Sequence, residues 1–381
     1  MPAPLKLSPF YDLHNNYSAE VEWDNWGGFA TALKITDLDQ ELKAVRSNAV
    51  MFDMTPVVKY RIKGPDALAY MNKMTTRQMD IAVGRVTYTC WCNEQGKVID
   101  DGTAFRIADD EYILMPGSNR QAYFEQLAAG MDLQVSDITL ELAALTVQGK
   151  KSLTMIQALG VQGLEKLKPF RFDDYESIAG TIRISRTGFF GDLGYELWLD
   201  YSQAENLWNG LVQAGITPCG LDTLCNARLE AGLIIPEGGF EFEPIDPMAN
   251  TSHDFNRSPF ELDLGFLIDF KKPDFIGRTA LLAESENGFM WHNVGLEIED
   301  IIPAEHGSKV MLNGIAIGFV TSGLYSVSLE KNIALATIKA TLSEIGRELE
   351  VMIDNQIVNA TIVNKPFVNP ERKSQTPAPA L

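Results

Sequence analysis

The spacing of apolar residues changes close to Asn287, and the change separates two kinds of structure along the chain. Before this point, helical spacings alternate with short strand-like runs, an order typical of an α+β fold rather than a regular doubly wound sheet. After it, six short apolar or alternating runs follow one another, and Asn313-Gly314 between two of them is a strong hairpin signal. The sequence therefore predicts an α+β region over 1–286 and a small β-barrel over 287–370.

The charge balance limits the partners of this chain. The 381 residues include 51 acidic and 32 basic ones, which gives a net charge of −19. Such a charge argues against a surface for nucleic acid or for an anionic membrane. The end over 371–381, with its Ser, Pro and Ala residues, is predicted to be disordered.

The sequence also indicates where the protein works. No apolar run approaches the roughly 20 residues that a membrane helix needs, and the first residues lack the pattern of a signal peptide. Four cysteines in so long a chain are too few for a disulfide scaffold. We therefore expect a cytoplasmic protein without a membrane partner, and the sequence leaves open whether it forms a homo-oligomer.

Several common catalytic motifs do not occur in the sequence. The four histidines are scattered, and none lies in a zinc-binding arrangement such as H-E-x-x-H. Cys90 and Cys92 share one face of a predicted strand but have no second matched pair, so we interpret them as core residues. G-x-S-x-G, Walker and G-x-G-x-x-G motifs are absent as well. We therefore expect no metal site.

Two adjacent carboxylates are the first candidates for chemistry. A polar turn over 93–96 joins two predicted strands within 86–106, and Asp100 and Asp101 come just after it. Because neighbouring strand residues point to opposite faces, at most one of the two can enter a pocket. A buried carboxylate there could hold a ligand N–H group or stabilise a developing cation. On the residues alone, a solvated hairpin carboxylate is the more common explanation.

Two further segments carry charged residues near a predicted strand or helix. The segment 186–196 contains three glycines, which allow close approach of the backbone, and it leads into a strand with Glu196. A loop of this kind is a simple turn more often than a binding site. Arg228-Leu229-Glu230 lies on a predicted helix, where a structural ion pair is the more common role.

Short motifs that follow one order along nearly the whole chain carry a family resemblance. They are Met51-Phe52-Asp53, Ile62-Lys63-Gly64-Pro65-Asp66-Ala67, Tyr88, Cys92-Asn93-Glu94-Gln95-Gly96, Asp100-Asp101, Arg186-Thr187-Gly188, Gly194-Tyr195-Glu196, Arg228-Leu229-Glu230-Ala231, Pro259-Phe260-Glu261, Asp274-Phe275-Ile276-Gly277-Arg278, Thr321-Ser322-Gly323, Ile333-Ala334-Leu335-Ala336 and Lys365-Pro366-Phe367. Together they resemble the glycine-cleavage T-protein (aminomethyltransferase) superfamily, which also contains folate-dependent demethylases acting on dimethylsulfoniopropionate and on aromatic methyl ethers. Within it, we expect the chain to be nearer these demethylases than the T-protein itself.

This resemblance implies a three-lobed cloverleaf with tetrahydrofolate in a central hole. The α+β region would form two interleaved lobes, approximately 1–50 with 138–228 and 51–137 with 229–286, and the barrel would be the third lobe. A strongly acidic protein needs local bases to hold the anionic glutamate tail of folate. The candidates for that task are Lys59, Arg61, Arg186 and Lys365.

The resemblance also implies roles for particular residues. Asp101 matches the family's catalytic aspartate near the N5/N10 edge of folate, and Glu196 matches the carboxylate that grips the N–H groups of the pterin. Such a carboxylate can accept two charge-assisted hydrogen bonds from the amino-pyrimidinone edge. Tyr88 matches a pocket tyrosine, and we expect Phe189 and Arg228 at the cofactor as well.

The chain departs from the T-protein pattern at positions that would contact folate or substrate. Phe189 stands where the T-protein usually has tyrosine, Leu224 where a folate-contacting arginine is expected, and Gly117 where an asparagine is expected. A long acidic stretch over 236–258 replaces a short family loop. We therefore expect a rebuilt substrate side, whose contacts would come from His253, Trp91 and Phe242.

The leading functional interpretation is methyl transfer. The protein would move a methyl group from a small S-, O- or N-methylated substrate to N5 of tetrahydrofolate, chiefly by aligning the reacting atoms. Asp101 would orient the pterin, and His253 is a weaker candidate for the acid that an ether donor would need. Two alternatives stay open. One is the glycine-cleavage aminomethyltransferase, and the other is a non-enzymatic folate-binding module like that of iron–sulfur assembly proteins, whose cysteine motif is missing after Glu230.

Overall fold

A computed structural model describes residues 4–235, 256–300 and 302–368. Over these ranges the chain forms a two-stranded hairpin, a six-stranded sheet, a five-stranded sheet and a closed barrel of six strands, together with eight α-helices. This architecture confirms the predicted α+β class and the small C-terminal barrel. Within the same ranges, every helix is too short or too polar to cross a membrane.

Helices and strands alternate through most of the described chain. The helices are α1 (Tyr11–Tyr17), α2 (Leu38–Ser47), α3 (Ala67–Met74), α4 (Gln121–Leu127), α5 (Ser152–Gln157), α6 (Ala204–Gln213), α7 (Leu221–Glu230) and α8 (Arg278–Asn287). The strands are β1 (Glu22–Trp26), β2 (Phe29–Lys34), β3 (Val50–Asp53), β4 (Tyr60–Lys63), β5 (Val86–Cys92), β6 (Val98–Ala108), β7 (Glu111–Pro116), β8 (Gln134–Asp137), β9 (Leu142–Gln148), β10 (Phe172–Ser177), β11 (Gly180–Ser185), β12 (Gly194–Asp200), β13 (Thr217–Pro218), β14 (Trp291–Ile298), β15 (Lys309–Leu312), β16 (Ile315–Ser326), β17 (Lys331–Lys339), β18 (Glu348–Ile353) and β19 (Gln356–Val363).

Helix α2 shows how local sequence sets an element and tertiary contacts hold it. Asp37 caps its first turn, because the carboxylate accepts a hydrogen bond from Gln40 N at 3.1 Å. Glu41, one turn into the helix, is fully buried. Its Oε2 accepts hydrogen bonds from Gly220 N at 3.0 Å and Thr223 Oγ1 at 2.7 Å. This buried carboxylate therefore fixes α2 to the first turn of α7.

The first lobe is built on the six-stranded sheet, in the order β10-β11-β12-β9-β3-β13. Alternate residues of its central strands, such as Leu145 and Leu197, pack into a core with residues of α5 and α6. The intervening residues Glu196 and Trp198 point to the opposite face. Trp198 packs there against Phe105 of the second lobe, at 6.2 Å between ring centroids. The sheet alternation therefore turns Glu196 toward the second lobe.

The second lobe is built on the five-stranded sheet, in the order β5-β6-β7-β4-β8. Trp91 belongs to the core on one face, with residues of α3 and α4. Cys90 and Cys92 lie on the other face, buried as free thiols against Leu262 and Phe275. The interpretation of the two cysteines as core residues that share one face is confirmed.

The third lobe is the closed barrel, in the order β14-β17-β16-β15-β18-β19. The hairpin between β15 and β16 turns at Asn313 and Gly314, whose φ values of 52° and 75° suit these two residue types. Strand β17 alternates between two cores. Its Ala334 packs inside the barrel, whereas Ile333 and Leu335 pack against the second lobe. The barrel is thus joined to the rest of the protein by a shared apolar core.

The structure differs from the sequence expectations at the N-terminal side. The hairpin of β1 and β2 was not predicted, because β1 is mostly exposed and lacks an alternating apolar pattern. Strand β3 pairs with β9 within the six-stranded sheet. Strand β4 begins at Tyr60, because Lys59 N bonds to Thr139 Oγ1 outside the strand ladder.

Candidate functional site

The β5–β6 hairpin presents a carboxylate and a phenol on one face. Cys90 is paired with Asp101 and Tyr88 with Thr103, so Tyr88 and Asp101 face the same side. The Tyr88 hydroxyl donates a hydrogen bond to Asp101 Oδ2. Burial, followed by the charge of Asp101, raises the pKa of Tyr88 well above its usual value. The phenol therefore keeps its proton, and as the hydrogen-bond donor it fixes the orientation of the Asp101 carboxylate.

Asp100 points the other way, as the strand alternation predicts. It is fully buried on the face of Trp91. Asp100 Oδ1 accepts a hydrogen bond from Asp101 N at 2.8 Å, and its Oδ2 accepts one from Ser118 N at 3.0 Å. Burial, and then the charge of Asp101, raise the pKa of Asp100 to about 8. Asp100 is therefore a largely neutral support beneath Asp101 at pH 7, with Arg120 Nε at 3.8 Å.

Glu196 is the buried carboxylate of the first lobe. It is 7% exposed, and its Oε2 accepts hydrogen bonds from Thr187 Oγ1 at 2.7 Å and Ser185 Oγ at 3.3 Å. Burial raises the pKa of Glu196, and the two hydroxyl bonds oppose that rise. Among the described residues Oε1 has no hydrogen-bond partner. One carboxylate oxygen thus remains for a ligand donor.

The glycine loop before β12 is held by Gln148. A Cβ on Gly188 or Gly194 would lie 2.2 or 1.9 Å from Gln148 Oε1, so a larger residue at either position would displace the Gln148 side chain. Gln148 Nε2 donates to Thr187 O at 3.2 Å. The glycines therefore let β9 approach the loop, and this approach places the Thr187 hydroxyl on Glu196. The sequence assigned no role to these three residues: Thr187 belongs to the Arg186-Thr187-Gly188 motif, whereas Gln148 and Ser185 belong to none of the motifs.

Backbone hydrogen bonds through Phe170 connect strand β5, which carries Tyr88, to the loop that carries Thr187. Val86 N, at the start of β5, donates to Phe170 O at 3.0 Å, and Phe170 N donates to Arg186 O at 3.1 Å. Phe170 has a left-handed backbone with φ of 55° and is 47% exposed. It therefore lies between the Tyr88 strand and the Thr187 loop. Left-handed geometry at a phenylalanine is rare, so the sequence offered no signal for it.

Phe189 and Leu224, two residues that depart from the T-protein pattern, pack together beside the glycine loop. Phe189 is partly buried against a cluster that contains Phe190, Phe52 and Leu224. Leu224 is 8% exposed, so the position where an arginine was expected is an apolar part of this cluster.

Arg228 and Glu230 join α7 to the barrel. Arg228 is 2% exposed, and it donates to Leu233 O at 3.1 Å and to Ser322 Oγ at 3.0 Å. Glu230 forms a buried ion pair with Arg46 of α2. The interpretation of this segment as part of a structural ion pair is confirmed for Glu230, and a cofactor contact by Arg228 stays a prediction.

Of the three residues expected on the substrate side, the structure describes only Trp91. Trp91 is fully buried in the core of the second lobe, on the face opposite to Asp101, so it packs rather than faces a substrate. His253 and Phe242 lie outside the described residues.

The bases proposed for the folate tail are engaged within the protein. Lys59 is fully buried, and its Nζ donates hydrogen bonds to Thr55 O and Val57 O. Arg61 forms ion pairs with Glu111 at 3.4 Å and with Glu141 at 3.5 Å. Arg186 donates a hydrogen bond to Leu167 O at 3.0 Å, and Lys365 donates one to Asn293 O at 2.9 Å.

The residues present fit a pterin. A pterin edge offers N–H donors, and Glu196 offers a buried carboxylate whose Oε1 has no acceptor role among the described residues. Asp101 adds a second carboxylate, on the same face of the β5–β6 hairpin as Tyr88. No group of three His, Cys, Asp or Glu side chains in the described ranges could hold a metal ion.

Family comparison agrees with this geometry. A family model of the GCVT N-terminal domain matches residues 10–272, and one of the glycine cleavage T-protein C-terminal barrel domain matches residues 292–369. The chain belongs to the glycine cleavage T-protein family. Enzymes of this family use tetrahydrofolate, so the folate expectation is confirmed at the level of the family.

Individual relatives of the T-protein family match over almost their whole length. The aminomethyltransferase of Geobacillus sp. (strain WCH70) is 33% identical over 95% of this chain and 98% of its own. That of Bacillus subtilis (strain 168) is 32% identical over 95% of this chain and 99% of its own. The crystal structure of glycine cleavage system aminomethyltransferase T from Bartonella henselae superimposes with a TM-score of 0.85 at 23% identity, over 97% of this chain and 99% of that one, and shows the same fold.

These relatives correct one expectation from the sequence. They are named aminomethyltransferases, so the expected nearness to the demethylases is not supported, and the T-protein itself is favoured.

Proposed function

We propose that this protein transfers a one-carbon unit to tetrahydrofolate, and that its reaction is that of an aminomethyltransferase. In that reaction a lipoyl-bound aminomethyl group gives methylenetetrahydrofolate and ammonia. The observation that carries the proposal is the pair of carboxylates, Asp101 with its Tyr88 donor and Glu196 with a spare oxygen, on strand faces of adjoining lobes. The names of the relatives support the aminomethyl donor over a methyl donor.

Glu196 would bind and orient the cofactor. Its Oε2 is already held by Thr187 and Ser185, so the carboxylate plane is fixed before a ligand arrives. A carboxylate ordered in this way loses little side-chain entropy on binding, which favours affinity. Tetrahydrofolate supplies the nucleophilic nitrogen of the reaction.

Asp101 would work next to the reacting nitrogen. The hydrogen bond from Tyr88 restricts rotation of its carboxylate, and the bond from Asp101 N to Asp100 Oδ1 holds its backbone. A carboxylate at this place can accept a proton or stabilise a developing positive charge, an effect that typically contributes 10²–10⁴-fold to a rate. Asp100 stays in the core and does not reach the ligand.

Methyl transfer is the second candidate, and a specific observation favours it. Leu224 and Phe189 belong to an apolar cluster at positions where the T-protein pattern has polar side chains. A more apolar wall suits a methylated donor that needs no proton transfer.

A two-arm assay of the full-length protein separates the candidates. With tetrahydrofolate and an aminomethylated lipoyl carrier protein, we expect ammonia and methylenetetrahydrofolate. Formation of 5-methyltetrahydrofolate from a panel of sulfonium, methylated-amine and methyl-ether compounds would instead support methyl transfer. We expect Asp101→Asn to lower turnover at least 100-fold, while the exposed Glu94→Gln in the same hairpin leaves it unchanged. Folate binding without either product would support a non-enzymatic folate-binding module, and the absence of folate binding would refute the proposal.

A further inference from the structure

A cavity of about 360 Å³ lies between the sheets of the first two lobes. Its size falls at the lower end of that typical of small-molecule sites, roughly 300–1,000 Å³. Most of its wall is apolar, formed by Phe105, Ile107, Ile113, Met115 and Leu142. Trp198 also lines it and follows Glu196 by two residues on the same strand, so the cavity continues along the sheet face that carries Glu196.

The buried polar groups of this cavity are both donors. Trp198 is 5% exposed, and its Nε1 has no hydrogen-bond partner among the described residues. Lys59 is fully buried and lies with its Nζ 5.4 Å from the Trp198 ring centroid. Two protons of an ammonium at Nζ are taken by Thr55 O at 3.0 Å and Val57 O at 2.7 Å. A third proton and the indole N–H are then left for an acceptor.

The charged groups at the mouth of the cavity are more exposed to solvent than the Lys59 side chain inside it. Asp174 and Arg183 form a bidentate ion pair with side chains 49% and 31% exposed. Asp200 at the mouth is also exposed. Water and salt screen such charges, so the two acidic groups oppose an incoming anion less than Lys59 attracts it.

We propose that this cavity binds a small carboxylate with an apolar ring or branched chain. The carboxylate accepts hydrogen bonds from Trp198 Nε1 and Lys59 Nζ, and the apolar body packs against Phe105, Ile113 and Met115. This arrangement gives the buried indole N–H the acceptor that it lacks within the protein.

The proposal implies that binding is linked to a proton. Burial lowers the pKa of Lys59 to about 7, while the charges of Asp53 and Asp137 oppose that decrease. Across the cavity the charged groups are Asp174, Arg183 and Asp200. Because a bound carboxylate favours the charged ammonium, its affinity should fall as the pH rises through 7.

The test uses 3-phenylpropionate and its neutral amide with the full-length protein. Calorimetry at pH 6, 7 and 8 measures affinity, and the indole N–H resonances of the protein locate the site. We expect the acid to bind about tenfold more weakly at pH 8 than at pH 6, which is the loss of the charged Lys59 form, and the amide to show no such dependence. The resonance that moves should be the one missing from Trp198→Phe.

Variants complete the test. Trp198→Phe should weaken acid binding several-fold, whereas Trp23→Phe, which removes an indole paired with Asn15, should not. Lys59→Met should abolish the pH dependence. If Lys59→Met does not fold, two other measurements test the proposal: the pH dependence of acid binding compared with that of the amide, and the affinity of Trp198→Phe for the acid. Absence of saturable binding at every pH, or binding unaffected by Trp198→Phe, would overturn the proposal.

Discussion

At the scale of single residues, the two buried carboxylates Asp101 and Glu196 differ in what holds them. Asp101 is oriented by a phenol on its own hairpin. Glu196 is oriented by hydroxyls of Thr187 and Ser185 on the neighbouring strand and loop. The Thr187 and Ser185 hydroxyls leave Glu196 Oε1 without a hydrogen-bond partner among the described residues, and recognition of a ligand rich in N–H groups requires such an acceptor.

Replacing Glu196 should weaken folate binding without unfolding the protein. In Glu196→Gln the Thr187 and Ser185 hydroxyls can still donate to the amide oxygen, but the charge that the pterin donors would meet is lost. We expect tetrahydrofolate affinity to fall at least tenfold, measured by calorimetry, because hydrogen bonds to charged groups contribute about 1.5–3 kcal/mol. The exposed Glu205→Gln on α6 is the control. An unchanged affinity in Glu196→Gln would remove this residue from the cofactor site.

Asp100 should make the stability of the protein depend on pH. Its pKa of about 8 in the folded state exceeds that of an unfolded aspartate, about 3.9, so the folded state holds a proton that the unfolded state has lost. This contribution to the free energy of unfolding is complete below pH 4 and is lost as the pH rises through 8. The slope is at most about 1.4 kcal/mol per pH unit.

Asp100→Asn cannot ionise and should flatten that slope between pH 5 and 8. Urea unfolding at several pH values measures it, with Asp109→Asn, a side chain 97% exposed, as the control. An equal slope in the wild type and in Asp100→Asn would show that Asp100 is not the group responsible.

At the scale of elements, a buried ion network joins two helices and the barrel. Arg46 of α2 pairs with Glu230 of α7 and with Asp192, the latter at 2.6 Å. The other Glu230 oxygen accepts hydrogen bonds from Ser326 Oγ at 2.5 Å and Ser328 Oγ at 2.6 Å. Three elements distant in sequence therefore depend on one guanidinium.

Arg46→Met should destabilise the protein by about 3–5 kcal/mol, because it leaves buried carboxylates without their cation. Lys331→Met removes the exposed pair with Glu297, at side-chain exposures of 53% and 38%, and should cost less than about 1 kcal/mol. The free energy of unfolding in urea measures both changes. Similar losses of unfolding free energy in the two variants would mean that the buried network stabilises the protein no more than an exposed ion pair does.

At the scale of the whole molecule, the second lobe and the barrel share one apolar core. Cys90 and Val98 of the second lobe, Phe275 before α8, and Ile333 and Leu335 of the barrel belong to it. A second cluster, which contains Trp198 and Phe105, joins the second lobe to the first. Because separating any of these lobes would expose one of the two surfaces, we infer that the described chain unfolds as a unit.

A core substitution in the barrel should therefore destabilise the other lobes as well. Leu335→Ala should lower the free energy of unfolding by about 2–5 kcal/mol, and tryptophan fluorescence should report it, because five of the six tryptophans lie in the first two lobes. Ile315→Ala, at a position 67% exposed, is the control. A barrel that unfolds separately from the fluorescence change would contradict the single unit.

The sequence alone determined the elements whose signals are local. The Asn313-Gly314 turn and the opposite facing of Asp100 and Asp101 depend on neighbouring residues, because turn geometry and strand alternation act over a few positions. The ordered motifs also indicated the family, although they did not distinguish an aminomethyl from a methyl donor.

Only the tertiary structure decided which side chains meet. Nothing near Lys59 in the sequence shows that it is buried beneath Trp198, and nothing near Glu196 shows that Gln148 holds the loop that supplies its Thr187 hydroxyl. Trp91 likewise became a core residue because its strand alternates away from Asp101 and toward α3 and α4. These outcomes depend on contacts between residues about 40 to 140 positions apart, and such contacts form only when the sheets pack together.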